Sequence, residues 1–250
     1  MSRNFVQSVE KGLSILSTFS AQRPELTLSE LAKATRLTLV TADRYLFTLK
    51  KLGFITRSED NKKYRLTPKV LSLGFSTLKS MNLKVRTMPY LIQLTKERNV
   101  TTQCAILEGT EIVYLERLRS AGDVVHLDLT VGSRLPASAT AMGKAILAFL
   151  GEAESRRLID QMNLAPLTPH SITTKKDLRK ELQIIRDRGY AINNQETFLG
   201  IRALAAPIFA DGKVEGALGI SFPINRTEGN NLESTLVKEM IDITKKVSIG

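Results

Sequence analysis

Three features of the sequence predict an α+β protein built in two parts. Residues 27–66 hold a T-x-x-E helix start, a short polar break, a second amphipathic helix and two β-rich runs around a polar turn. That order is expected of a winged helix-turn-helix, a module that lays one helix in a groove of duplex DNA. A dozen residues then read as one helix, and beyond them β-rich and helical runs alternate with hairpin turns that require an antiparallel sheet. The predicted boundaries are 1–67 for the winged module, 68–81 for a connecting helix and 82–250 for the sheet domain.

In the first part, Val6, Val9, Leu13, Leu16 and Phe19 recur at three- and four-residue steps, which predicts a helix packing through that stripe and ending in 20–24. Thr27 caps the second helix, with Glu30 closing a capping box and Leu28, Leu31 and Ala32 facing inward. Thr38 caps the third helix. Its Ala42, Tyr45, Leu46, Leu49 and Leu52 form the inward stripe, and Thr41, Arg44, Thr48 and Lys51 form the outward one. The N-terminal part of such a helix meets base edges and phosphates, which places Thr38, Thr41 and Arg44 at the groove; a plain solvated face would show the same pattern. Residues 54–57 and 63–67 form the wing hairpin, whose Arg57, Lys62, Lys63 and Arg65 would hold phosphates without reading sequence. Thr67-Pro68 starts the connecting helix, where Val70, Leu71, Leu73, Phe75 and Leu78 exceed what a free linker needs.

In the second part, a helix around 89–98 leads into strands at 101–107 and 112–117 joined by Glu108-Gly109-Thr110, then a third run at 124–131. Small residues at 137–143 open a helix that runs to Leu150. Helices follow at 152–162 and 175–188, the latter with a Thr174/Asp177 cap. Strands at 190–194, 202–209 and 214–222, with Asp211-Gly212 between the last two, precede a closing helix at 232–247.

Composition bounds the function. At 250 residues and 42% hydrophobic content, the chain can build a second core beside the small winged module. Its formal charge of +11 is uneven: residues 1–80 hold fourteen Lys/Arg against six Asp/Glu, and the remainder twenty-two against nineteen. A polyanion partner for the first part follows, although a solvated basic face gives the same count. The single cysteine, Cys104, excludes an intramolecular disulfide or a multi-cysteine metal site, suits a reducing cytoplasm and is expected to lie inert in a strand. No apolar signal core or membrane-length apolar run is present, so a cytoplasmic location and no membrane partner are expected.

Catalytic signals are weak. Gly219-Ile220-Ser221-Phe222-Pro223 lacks the last glycine of a nucleophile elbow, and only His126 and His170 are available as a base. Gly143-Lys144 lacks the upstream glycine and the following Ser/Thr of a phosphate loop. The expectation is no enzyme, no cofactor and no metal.

The segment LTLSELAKATRLTLVTADRYLFTLKKLGFITRSEDNKKYRLTPKVLSL resembles the DNA-binding domain of the IclR family of bacterial transcriptional regulators, through Leu37, Thr41, Arg44, Leu52-Gly53-Phe54, Tyr64, Leu66 and Leu71. Arg36, Val40, Leu39 and Asp43 depart from the family pattern: Arg36 replaces a common turn glycine and Val40 a common serine. Leu39 can read only an apolar feature, and Asp43 would repel phosphate. Three blocks, at 131–145, 195–207 and 216–221, resemble the family's effector-binding domain, a GAF-like sensor fold. The resemblance implies an effector-responsive regulator that binds double-stranded DNA as a homodimer or dimer of dimers, with residues 82–250 binding a small organic acid. The run Leu37-Thr38-Leu39-x-x-x-x-Arg44-Tyr45-Leu46 resembles the branch that controls aromatic-acid catabolism. DNA contacts are then expected from Thr27, Ser29, Thr38, Val40, Thr41, Arg44, Tyr45 and Thr48, together with the four wing cations. Effector contacts are expected from Leu135, Ala139, Met142, Asn193, Glu196, Ala203, Gly219 and Ser221. Small side chains leave room for a ligand and free backbone N–H groups for an anion, but tight helix-on-sheet packing requires them too. Glu196 and Arg202 would instead be structural if they pair with each other. The alternative is a metabolite-binding protein or small-molecule enzyme with a vestigial helix-turn-helix.

Overall fold

The computed structural model describes residues 4–20, 22–80, 82–120, 129–227 and 231–249, with the backbone alone for 75–80 and 227. The chain divides into two compact units, 1–80 and 81–250.

In the first unit, α1 (Gln7–Leu16) precedes β1 (Glu25–Leu26), α2 (Leu28–Thr35), α3 (Leu39–Lys51), β2 (Ile55–Arg57), β3 (Tyr64–Leu66) and α4 (Lys69–Ser80). Thr27 and Glu30 form the complete capping box, each answering the other's backbone N–H. Thr38 caps α3 by accepting from the Thr41 N–H. The turn between the two helices places Arg36 in the left-handed region at φ 56°, where glycine carries no steric cost. Ile15, Leu31, Leu46, Leu49 and Tyr64 form the core.

Two expectations change here. The α1 stripe packs only in part: Val6, Val9 and Leu13 are more than half exposed, Leu16 and Phe19 pack against the core beside buried Ile15, and the helix stops at Leu16. Leu52, expected to face inward, is also exposed. An amphipathic period shows that a helix has an apolar face without showing that its own chain covers it. The two-residue β1, too short to leave a periodic signal, joins the wing hairpin as β1-β3-β2.

The end of α3 and the start of α4 are bound together. The Thr67 hydroxyl donates to the Gly53 carbonyl at 2.5 Å, the Thr67 N–H to the Phe54 carbonyl at 2.9 Å, and Lys69 Nζ to the Leu52 carbonyl at 2.7 Å. The Lys69 ammonium also lies 5.1 Å from the centroid of the Phe54 ring.

The second unit opens with α5 (Asn82–Arg98) and continues with β4 (Thr101–Glu108), β5 (Glu111–Leu118), β6 (Arg134–Pro136), α6 (Ala141–Phe149), α7 (Glu152–Gln161), α8 (Lys175–Arg188), β7 (Ala191–Asn194), β8 (Ile201–Ala210), β9 (Lys213–Pro223) and α9 (Leu232–Val247). All pairings of the six-stranded sheet, ordered β6-β5-β4-β9-β8-β7, are antiparallel. Asp211 and Gly212 both take positive φ, the two-residue turn that matches strand twist between β8 and β9. Helix α5 begins a full two turns before Pro89, which suits a first helical position but sits here in mid-helix; its orphaned acceptor, the carbonyl of Val85, belongs to an exposed residue. The strand expected at 124–131 falls mostly on 121–128, outside the described residues, and β6 pairs with β5 instead.

Cys104 is fully buried on β4, and burial pushes its thiol up to about 12, which makes it a poor nucleophile. No helix among the described residues is long and apolar enough to cross a membrane.

Candidate functional site

The outward side of α3 and the wing form a basic face. Val40, Arg44, Thr48 and Lys51 are exposed, Thr41 is half-buried, and Arg57, Lys62 and Arg65 are exposed on the wing with Lys63 partly so. Thr38 Oγ1 spends its proton on Thr41 Oγ1 at 2.8 Å, and Thr48 donates to the Arg44 carbonyl at 2.9 Å. Arg57 lies 5.2 Å from the centroid of the Tyr64 ring and donates Nε to the Lys62 carbonyl, so part of its donor fork is used within the wing. Thr27 is occupied by its capping box, Ser29 is exposed beside it, and Tyr45 is half-buried against the core. Asp43 is exposed on the same helix as Arg44.

In the second unit, strand register assembles the other candidate site. Arg117, Gln103, Gly219 and Ala205 stand in one row across the sheet, and Thr101, Ser221, Ala203 and Asn193 in the next. Residues two apart on a strand share a face, so both rows project to the same side. Helix α6 lies over that side. A β-carbon on Gly219 would stand 2.8 Å from Met142 Cγ, so the bare backbone there seats the methionine. Between helix and sheet is a cavity of about 50 Å³.

Six of the eight residues expected at the effector site line this cavity: Leu135, Met142, Asn193, Ala203, Gly219 and Ser221. Ala139 and Glu196 do not. The Ala139 carbonyl accepts from Asn193 Nδ2 and Thr197 Oγ1, tying the start of α6 to the segment after β7. Glu196 is buried and pairs with Lys144 Nζ at 2.6 Å rather than with Arg202, which pairs with Glu233 at 2.7 Å. The suggested Glu196–Arg202 pair is therefore replaced by two separate ones.

Sequence reasoning missed Gln103, Tyr114, Arg117, Thr140, Thr197 and Phe198, which also line the cavity. Gln103 donates to Ser221 Oγ at 2.6 Å, and Thr140 caps α6 through the Gly143 N–H at 3.0 Å. Which strand neighbours another cannot be read from spacing, and that hid the Gln103–Ser221 pair. Lys144 did leave a signal: it is the lone charge in the apolar run 141–149, and a buried ammonium requires a partner. Its Nζ also donates to the Ile192 carbonyl at 2.9 Å. Burial pushes the Glu196 carboxyl above its ordinary range, against the opposing pull of Lys144.

His170 is exposed, and His126 lies outside the described residues. No cluster of three His, Cys, Asp or Glu suited to a metal ion occurs among the described residues.

Residues 75–249 match the family model described as the C-terminal part of the bacterial transcriptional regulator IclR, and residues 8–59 match the IclR helix-turn-helix domain. The chain is 32% identical over 231 residues to the Pca regulon regulatory protein of Pseudomonas putida, covering 92% of this chain and 79% of that one. It is 32% identical over 228 residues to the HTH-type transcriptional regulator XynR of Escherichia coli, covering 91% and 90%. An IclR homolog from Microbacterium hydrocarbonoxydans, crystallised with 4-hydroxybenzoate, superposes with a TM-score of 0.83 at 25% identity over 96% of this chain and 97% of that one. With a winged helix-turn-helix in one unit, a helix-covered antiparallel sheet in the other and both family models matched, the chain belongs to the IclR family of bacterial transcriptional regulators.

Proposed function

We propose that this regulator binds promoter DNA through the α3 and wing face and changes its affinity when a small organic acid occupies the cavity beneath α6. The observation that carries the reading is the cavity itself: positions 84 residues apart in sequence, from Leu135 to Gly219, converge on one space with polar groups at its floor. An acid held there regulates only by binding two arrangements of the protein unequally. The reading includes no reaction catalysed by the chain and a cytoplasmic setting, where DNA is accessible.

Size informs the ligand. The cavity has room on the order of four water molecules, which suits a short carboxylic acid as it stands. An aromatic acid, supported by the 4-hydroxybenzoate held in the Microbacterium homolog, requires the walls to yield. Met142 is the wall best able to do so, because an unbranched thioether repacks at low cost. Exposed Leu71 and Leu73 on α4, with exposed Val9 and Leu13 of α1, support pairing with a second copy, so that two α3 helices meet a pseudo-palindromic site as a dimer or dimer of dimers.

Calorimetric titration of the full chain with 4-hydroxybenzoate, benzoate and short aliphatic acids tests the sensor. One class should bind, and Gly219→Ala, which drives Met142 into the cavity, should weaken it by about tenfold with little loss of stability. Wild-type affinity in that variant would place the ligand elsewhere. On the DNA side, Arg44→Ala should weaken specific binding by about 1 to 3 kcal/mol in a mobility-shift titration. No loss would remove Arg44 from the interface.

A further inference from the structure

The first turn of α3 is chemically unusual for a helix that enters a groove. Val40 is 74% exposed, the highest value for a large apolar side chain among the described residues. It stands four residues before Arg44 on the same outward stripe, in the part of a recognition helix that approaches base edges. Thr38 has spent its proton on Thr41, and Leu39 is 53% exposed and apolar. The other exposed apolar residue of this stripe, Phe47, lies two turns along and shares a concavity with Ser8 of α1.

The major groove presents hydrogen-bonding atoms at every base pair and one apolar group, the 5-methyl of thymine. A branched aliphatic side chain pressed against any other edge strips water from a donor or acceptor and returns no hydrogen bond, a penalty of the kind that excludes wrong partners. Against the methyl it removes apolar surface from water on both sides. We infer that Val40 reads the methyl group of one thymine in each half-site, within about two base-pair steps of the base met by Arg44. The spacing follows from a rise of about 6 Å over four helical residues against about 3.4 Å per base pair. This inference rests on the regulator reading and specifies what the helix selects.

The test uses the full chain and a randomised duplex pool. A recovered duplex is remade with each thymine replaced in turn by deoxyuridine, which deletes the methyl and leaves every hydrogen-bonding atom in place. Loss of the methyl at one position per half-site should weaken binding about three- to fivefold. Val40→Ala, a change at the surface, should bind the thymine and deoxyuridine forms alike. Equal binding of every deoxyuridine form by the wild type, or an undiminished thymine preference in Val40→Ala, would overturn the inference. Failure of the pool to enrich any duplex would instead remove the regulator reading beneath it.

Discussion

Replacing Lys144 by Met should destabilise the protein by about 3 to 5 kcal/mol, because it strands the Glu196 carboxylate in a site where only 7% of that residue is exposed. For a unit of this size that lowers the melting temperature by on the order of 10 °C. The loss should also depend on pH. Without the ammonium, burial and the nearby Glu181 charge act on Glu196 against only the Asn194 backbone hydrogen bond, and its carboxyl moves further above the ordinary range. The folded state then holds a proton that the unfolded chain releases, so stability falls as pH rises past the ordinary glutamate range. The deficit relative to wild type should accordingly be larger at pH 8 than at pH 5 in urea unfolding. Adding Glu196→Leu removes the stranded charge and should recover most of the loss. A single variant within about 1 kcal/mol of wild type at pH 8 would show that the pair is not the buried tie described here.

The second large effect is expected at Gly143. A β-carbon there would stand 2.6 Å from the Ala137 carbonyl carbon and closer still to its oxygen, and both belong to backbone. Backbone cannot rotate aside as the Met142 side chain can. The turn of 3-10 helix at residues 137–139 would have to part from α6, opening the wall of the cavity. Gly143→Ala should therefore cost about 3 kcal/mol and abolish acid binding, whereas Gly219→Ala should cost less than about 1. Differential scanning calorimetry of the two variants decides it, and equal melting temperatures would contradict the close approach.

Helix α8 was legible because its apolar period, Leu178, Leu182 and Ile185, is bounded by its own cap and turn residues, Thr174 and Gly189. The capping box at Thr27 and Glu30 was legible because it is local chemistry. Six cavity residues came from resemblance to a family, since strand order is set by pairings between segments distant in the chain. Lys144 carried the mark of a charge needing a partner, yet nothing in the spacing named Glu196, 52 positions away in a polar run. On α1, periodicity identified an apolar face and could not say that Val9 and Leu13 would be left facing water.

Leu52, Gly53 and Phe54, the three residues that follow α3, each lend a carbonyl to Thr67 or Lys69. The helix that leaves the module is thus tied to the end of α3 at three successive backbone carbonyls. On the proposed role of α3, a twist applied to α4 would reach Arg44 through those three carbonyls as a change of pitch, without any bend in the wing.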